Sequence, residues 1–266
     1  MSKKLLLAAI FVAGLLITGS LVGAITNGGP DNGEHPFVGL AVFDDANGTP
    51  MWRCSGALIS PTVFLTAGHC TEAPAASATI WFEEDLQGTP DSGYPYGGRT
   101  SVDGTPYTHP QYNPNAFYLF DLGVVVLDKR VRMDEYGQLP TLGVLDALAT
   151  QRGPDYPEIM AVGYGLQRIN PVFVEGYRAR LQATLRLIDV TGTVGIPDGT
   201  SVMLSNNANT GGTCFGDSGG PLFYPADSNT IVAVTSFGLN GNCAGTGGGY
   251  RVDTADDLAW LATFGF

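Results

Sequence analysis

Short apolar runs recur along most of the chain, and turn-forming residues such as Gly, Pro, Asn and Asp lie between them. Typical runs are 37–43, 122–128 and 231–237. Several runs alternate apolar and polar residues or are rich in β-branched residues, which is typical of strands. Many short strands separated by turns predict an all-β sandwich or barrel.

Two parts of the chain depart from this pattern. The segment 136–157 carries fewer strand signals and several prolines, so we interpret it as a connector between two β units, 25–135 and 158–266. Near the C-terminus, Thr254 or its neighbour can cap a helix whose apolar residues fall on one face. We therefore expect two β domains and a short C-terminal helix.

The first 24 residues have the features of a secretory signal. A basic start at Lys3 and Lys4 precedes an apolar run, and small residues lead up to Ala24. We expect residues 1–24 to be removed and the protein to be secreted, with no stable membrane association afterwards. The competing interpretation is a retained membrane anchor, which glycines within the run weaken.

Charge and cysteine content narrow the function classes. The formal net charge of the 266 residues is −12, which argues against a nucleic-acid-binding protein because such proteins carry a basic patch. Four cysteines in an exported chain suggest two disulfides, and three pairings are possible. Without a C-x-x-C pair or a His/Cys cluster there is no signal for a zinc site, and we expect no metal or cofactor.

Ser218 lies in the glycine-rich stretch GDSGG at 216–220. Most serines between glycines simply occupy turns. A nucleophilic serine needs a partner base and backbone N–H groups that converge on a developing oxyanion. Glycines permit the unusual backbone path that this requires and leave room for a substrate, so Ser218 is a candidate nucleophile.

A base and an orienting acid are available elsewhere in the chain. His69 follows an apolar run and precedes a cysteine, which suits a well-held general base. His35 and His109 each precede a proline, and we interpret them as packed or surface residues. Asp121 directly precedes an apolar run and can be buried, whereas Asp128 lies beside basic residues and is interpreted as solvated.

Three motifs carry a specific resemblance to a known family. TAGHC at 66–70, DLGVVVL at 121–127 and GDSGGP at 216–221 resemble the histidine, aspartate and serine motifs of chymotrypsin-like (trypsin-like) serine peptidases, in the same order. HPQYN at 109–113 resembles the family's segment before the aspartate. The resemblance therefore spans nearly the whole chain after the predicted signal.

The chain also departs from the family pattern at several positions. Gly68 replaces the usual alanine of the histidine motif. Tyr164 and Phe237 replace the tryptophans of the family's Gly-Trp-Gly and Ser-Trp-Gly segments. None of these departures touches a residue of the catalytic triad.

The resemblance implies a fold of two six-stranded antiparallel β-barrels with the active site between them. It implies a catalytic triad of His69, Asp121 and Ser218, and an oxyanion hole formed by the N–H groups of Gly216 and Ser218. It also selects one disulfide pairing, Cys54 with Cys70 and Cys214 with Cys243.

The resemblance further implies an activation ion pair. In this family a new N-terminal ammonium folds inward and pairs with the acid before the catalytic serine, which here are Ile25 and Asp217. Ile25 directly follows the predicted signal cut. We hypothesise that signal cleavage itself creates the activating terminus; the alternative is that Ile25 ends the apolar run by chance.

By the same resemblance, the floor of the substrate pocket maps to Gly212 and its walls to Gly238 and Gly248. No acid occurs from 205 to 213, and Thr235 stands where glutamate-specific relatives have a histidine. An uncharged pocket with a preference for apolar or aromatic side chains is therefore predicted. The predicted substrate-binding residues are Gly212, Thr213, Phe215, Ser236, Phe237, Gly238 and Gly248.

Taken together, these residues and the family resemblance predict a secreted serine endopeptidase that acts as a monomer on protein or peptide substrates. A non-catalytic homologue acting as a binding module is the first alternative, although such proteins usually lose a triad residue. An esterase with a G-x-S-x-G elbow is the second. That elbow needs a histidine later in the chain, and none follows Ser218.

Overall fold

Most of the apolar runs are strands in the computed structural model of this protein, which describes residues 25–116, 118–149, 156–169, 174–190, 196 and 199–265. The predicted signal and residues 150–155 of the predicted connector lie outside the described residues. The strands, in chain order, are β1 (Gly29–Pro30), β2 (Val38–Asp44), β3 (Pro50–Ser60), β4 (Val63–Thr66), β5 (Ser77–Trp81), β6 (Val102–Thr108), β7 (Gly123–Leu127), β8 (Glu158–Gly163), β9 (Arg168–Ile169), β10 (Val174–Glu175), β11 (Leu181–Asp189), β12 (Ser201–Asn206), β13 (Pro221–Phe223), β14 (Ile231–Gly238) and β15 (Gly245–Arg251). The helices are α1 (Gly68–Thr71) and α2 (Ala255–Ala262), with single 3-10 turns at Pro114–Ala116 and Asp146–Leu148.

Six strands close the first barrel in the order β2-β3-β4-β7-β6-β5, and each neighbouring pair is antiparallel. Large apolar side chains with almost no exposed surface fill it, among them Phe43, Phe64 and Trp81. Burying one such side chain stabilises a fold by about 1.5–3 kcal/mol. His69 follows β4 and Asp121 precedes β7, and these two strands are paired in this barrel.

The second barrel closes in the order β8-β11-β12-β15-β14-β13, with β13 and β8 paired and β1 added beside β11. Strand β11 shows why the sequence forms a barrel wall. Its buried residues alternate with residues that are partly or fully exposed, and the buried set is Leu181, Ala183, Leu185 and Leu187. The predicted all-β class with two six-stranded antiparallel barrels is confirmed.

The predicted C-terminal helix is also confirmed, as α2. Its N-cap residue is Thr254, whose hydroxyl hydrogen-bonds with the carboxylates of Asp256 and Asp257 and accepts no hydrogen bond from a backbone N–H of the helix. The helix has eight residues. No helix in the described part of the chain has the length and apolar character that crossing a bilayer requires.

A buried polar cluster joins the two barrels. Arg180, directly before β11, donates from Nε to Asp31 at 2.8 Å and from Nη1 to the carbonyl oxygen of Phe82 in the first barrel at 2.9 Å. It also donates to the hydroxyl of Tyr164 at 3.3 Å. A tryptophan could not supply that oxygen acceptor, which gives the departure at Tyr164 a physical role.

The predicted connector runs along both barrels where it is described. The N–H of Gly137 donates to the carbonyl oxygen of Leu58 in β3, and the N–H of Gln138 donates to Asn229 just before β14. Consecutive residues therefore bond to different barrels. Both this segment and the Arg180 cluster therefore link the two barrels through hydrogen bonds.

Candidate active site

His69 and Asp121 are brought together from the two paired strands of the first barrel. The Nδ1 of His69 lies 2.9 Å from Oδ2 and 3.1 Å from Oδ1 of Asp121. The backbone N–H of His69 donates to the same carboxylate at 2.8 Å. One carboxylate thus fixes both the ring orientation and the backbone of the histidine, and leaves Nε2 facing away from Asp121.

Asp121 has no exposed surface, and a third donor reaches it from the second barrel. The hydroxyl of Ser236 donates to Oδ2 of Asp121. Because a buried charge is costly without hydrogen bonds, these donors stabilise the ionised carboxylate. The sequence identified Ser236 only as a pocket residue, so this contact to the acid was missed.

The pKa of His69 reflects two opposed effects. Burial disfavours the charged imidazolium and lowers the pKa. The charge of Asp121, its hydrogen bond and the charge of Glu72 act in the opposite direction and leave the pKa of His69 above its ordinary value. The ring is still 25% exposed, which leaves it open to a reacting group.

Ser218 lies on a backbone turn that is tied to the first barrel through Ser55. The N–H of Ser55 donates to the carbonyl oxygen of Ser218 at 2.8 Å, and its hydroxyl donates to the carbonyl oxygen of Gly216 at 2.9 Å. Gly216 has a φ of +97°, a conformation that favours glycine. Ser218 itself is half-buried.

The predicted oxyanion donors have no competing acceptor in the described part of the chain. The carbonyl oxygens of Gly216 and Ser218 are both bonded to Ser55, and neither residue's N–H donates to another described residue. Unengaged backbone N–H groups beside a nucleophile can stabilise negative charge that develops on a substrate oxygen.

One cavity of about 350 Å³ contains both Ser218 and His69 in its lining. The predicted pocket residues Thr213, Phe215, Ser236, Phe237 and Gly238 line it as well. It contains no Asp, Glu, Lys or Arg in its lining, and Phe215 stands 56% exposed at its edge. Cys214 and Cys243 of the predicted disulfide also line the cavity, and three further lining residues were not predicted to bind substrate: Thr235, Asn240 and Gly241.

Two predicted pocket residues, Gly212 and Gly248, do not line this cavity. A Cβ on Gly212 would lie 2.0 Å from Cγ of Asn206, which is buried in that position. A Cβ on Gly248 would lie 2.2 Å from Cζ of Phe237. The ring of Phe237 therefore lies across Gly248 and forms the wall assigned to that glycine.

Asp217, the predicted partner of Ile25, is a buried acid with backbone donors. Its carboxylate accepts from the N–H of Gly165 at 2.7 Å and of Cys214 at 2.9 Å. Burial outweighs these bonds and raises the pKa of Asp217 to about 7. Ile25 is fully buried, and the next residue, Thr26, bonds to Gly212 of the same barrel as Asp217. In this chain Ile25 is preceded by the predicted signal and is not a terminus.

Two disulfides flank the site with the pairing that the family resemblance implied. Cys54 pairs with Cys70, directly after His69, and Cys214 pairs with Cys243 in the cavity wall. One group of potential metal ligands is found in the described residues, Cys54, Cys70 and His69. Both of its sulfurs are consumed in the disulfide and offer no thiolate.

The other two histidines lie outside the cavity. His35 is buried, stacks on Phe223 at 5.0 Å between ring centroids and contacts Asp31 through Nδ1 at 2.6 Å. His109 is buried and stacks on Phe120 at 5.1 Å. Both are packed side chains.

The sequence profile described as Trypsin matches residues 27–260 of this chain. The chain belongs to the trypsin family. Serine protease 1 of Drosophila melanogaster is similar to this trypsin-family chain, with 29% identity over 225 residues that cover 83% of this chain and 78% of the relative. At the level of the family, the chain is a serine peptidase homologue.

Solved structures share the fold of this trypsin-family chain at lower identity. HL collagenase has a TM-score of 0.70 and 21% identity, covering 90% of this chain and 98% of the other. The scabies mite inactivated protease paralogue S-D1 has a TM-score of 0.67 and 17% identity, covering 90% and 97%.

Proposed function

We propose that this chain is a secreted serine endopeptidase that hydrolyses peptide bonds through an acyl-enzyme on Ser218. The observation that carries the proposal is the cavity in which Ser218 accompanies His69, while Asp121 holds the histidine from behind. All three groups required for nucleophilic catalysis are retained, which disfavours a binding module that has lost its chemistry.

In the proposed reaction, His69 takes the proton of the Ser218 hydroxyl through Nε2 while the serine oxygen attacks the peptide carbonyl carbon. The N–H groups of Gly216 and Ser218 hydrogen-bond the negatively charged oxygen of the tetrahedral intermediate. The imidazolium, stabilised by Asp121, then gives its proton to the departing amine. Water, activated by the same histidine, releases the acyl group and restores the serine.

The substrate side chain before the scissile bond is proposed to enter the cavity beside Ser218. Since the cavity is lined by aromatic, glycine and uncharged polar residues, an apolar or aromatic side chain is favoured over Arg or Lys. The ring of Phe237 and the Cys214–Cys243 disulfide supply apolar walls.

Activation is proposed to follow removal of residues 1–24. The new ammonium of Ile25 would pair with Asp217, whose raised pKa signals a buried acid in need of a cation. Burial of Ile25 and the bonding of Thr26 to Gly212 support this, because they already fix the segment next to the proposed terminus. The mature protein is proposed to act outside the cell as a monomer.

The proposal is tested by hydrolysis of two peptide amides that differ only in Phe or Arg before the scissile bond. Secreted protein is expected to cleave the Phe peptide faster, and Ser218→Ala is expected to abolish cleavage. Faster Arg cleavage would overturn the pocket assignment alone. Binding without cleavage of any peptide, in protein that begins at Ile25, would favour the binding-module alternative.

A further inference from the structure

Arg53 borders the backbone turn that precedes Ser218. It lies on β3 one residue before Cys54 and is half-buried. An ideal Cβ on Gly216 would lie 3.1 Å from Nε and 3.5 Å from Nη2 of Arg53. The guanidinium thus stands beside one of the two proposed oxyanion donors, on the first-barrel side.

This guanidinium has no anionic partner in the described part of the chain. None of the six ion pairs there involves Arg53, and no hydrogen bond engages it. The charge of Arg53 acts on Asp217 only at a distance, because the Asp217 carboxylate accepts hydrogen bonds from the N–H groups of Gly165 and Cys214 instead. A guanidinium offers five N–H donors in a planar fork that suits a carboxylate.

An apolar groove of about 320 Å³ extends from Arg53 over the first barrel. Met51, Trp52, Tyr94 and Pro95 are among its lining residues. Trp52 connects the groove to the catalytic histidine, because its indole N–H donates at 2.8 Å to the carbonyl oxygen of Cys70, the residue after His69. Through Trp52 and Arg53, the groove is therefore lined by residues that contact the segments carrying His69 and Gly216.

The groove and the cavity approach the reacting groups from different barrels. Apart from His69, the cavity is lined by the second barrel, whereas every residue lining the groove belongs to the first. A polypeptide whose side chain before the scissile bond enters the cavity must continue past Ser218. An extended chain advances about 3.3 Å per residue, so the first two residues after the bond come within reach of Arg53.

Resting on the proposed function, we propose that Arg53 selects an acidic residue at the first or second position after the scissile bond, with the groove holding apolar side chains that follow. Glu72, the other acid near His69, is hydrogen-bonded with Tyr112 and does not form an ion pair with Arg53. The substrate class is thus a protein segment with an apolar residue before the bond and a carboxylate shortly after it.

The test uses peptides with Phe before the bond and Glu, Gln or Lys at each of the two following positions. The ratio of kcat/KM for Glu over Gln is expected to be about fivefold at one of them, the scale of a partly exposed ion pair. Arg53→Gln brings this ratio to about one, Arg53→Lys keeps part of it, and Arg53→Glu shifts the preference to Lys.

Arg130→Gln is the matched control, since Arg130 is exposed and the substitution changes the net charge by the same amount. It is expected to leave the ratio unchanged. A ratio that survives Arg53→Gln, or that Arg130→Gln lowers equally, would overturn the proposal.

A binding measurement separates this proposal from the peptidase proposal. The same Glu and Gln peptides are titrated by calorimetry against Ser218→Ala protein, with and without Arg53→Gln. Tighter binding of the Glu peptide that depends on Arg53 supports the assignment even where no peptide is cleaved. Equal affinities for both peptides contradict it even where wild-type protein cleaves them.

Discussion

The carboxylate of Asp121 holds His69 at two points, the ring Nδ1 at 2.9 Å and the backbone N–H at 2.8 Å. His69 lies in α1 just after β4, and Asp121 lies just before β7; because these two strands are paired, the barrel itself sets the separation of the two residues. A bidentate hold of this kind restrains both the tautomer and the position of the base.

Asp121→Asn removes the charge from this contact and changes the tautomer that the ring prefers. The expected result is a fall in kcat of about 10⁴-fold with the fold retained. Ser236→Ala removes only one donor to the carboxylate and is expected to cost about tenfold or less. The measurement is hydrolysis of the Phe peptide amide, with thermal unfolding as the check on folding. Equal effects of the two substitutions would contradict the assigned roles.

The pH profile of kcat/KM should report the ionisation of His69. Burial lowers its pKa, but Asp121 and Glu72 raise it by more. Because the base must be neutral, activity is expected to rise through a midpoint above the ordinary value of about 6.5. Removing the charge with Asp121→Asn should move this midpoint to lower pH. A profile that peaks near pH 4 would contradict the mechanism.

Gly248→Ala tests the position of the Phe237 ring. The added Cβ would lie 2.2 Å from Cζ, so the ring must leave its place in the cavity wall. We expect kcat/KM for the Phe peptide to fall by about tenfold or more. Gly241→Ala is the control, because Gly241 lines the same cavity and its Cβ meets nothing within 4 Å. Similar kinetics for both variants would contradict this view of the pocket.

Protein beginning at Ile25 should be active, and protein with one additional residue before it should be slower by about 10²–10³-fold, the scale of one missing oxyanion donor.

The stability of the two forms should also depend differently on pH. The pKa of Asp217 is raised to about 7 when no ammonium is present. Ionising this carboxyl therefore lowers the stability of the form with the additional residue as pH rises from about 4 through 7. The ammonium of Ile25 should offset that loss. Parallel curves of Tm against pH for the two forms would contradict the pairing.

The sequence predicted the strands, an all-β class with two β units and the order of His69, Asp121 and Ser218, because periodicity and short motifs are local properties of a chain. The closure of each unit into a six-stranded barrel was implied only by the family resemblance. The disulfide pairing came only with the family resemblance, since cysteine spacing left three pairings open. These features depend little on the exact strand register.

The part of the cavity wall assigned to Gly248 could not be predicted correctly because it depends on strand register. Between Thr235 and Phe237 the pairing of β14 with β15 shifts by one residue, so that Phe237 lies opposite Gly248. A bulge of this kind re-aims side chains without a clear sequence signal. The approach of Arg53 to Gly216 is likewise a contact between different barrels, and no local pattern encodes it.

The most direct test of the central claim is to trap the acyl group. The protein beginning at Ile25 is incubated with a chromogenic Phe ester, quenched with acid and analysed by peptide mass spectrometry. We predict a burst of the alcohol product and an acyl mass on the peptide that contains Ser218. His69→Ala should acylate much more slowly, and Ser218→Ala should not acylate. Ester hydrolysis without an acyl group on Ser218, or with the acyl group on another residue, would contradict the account.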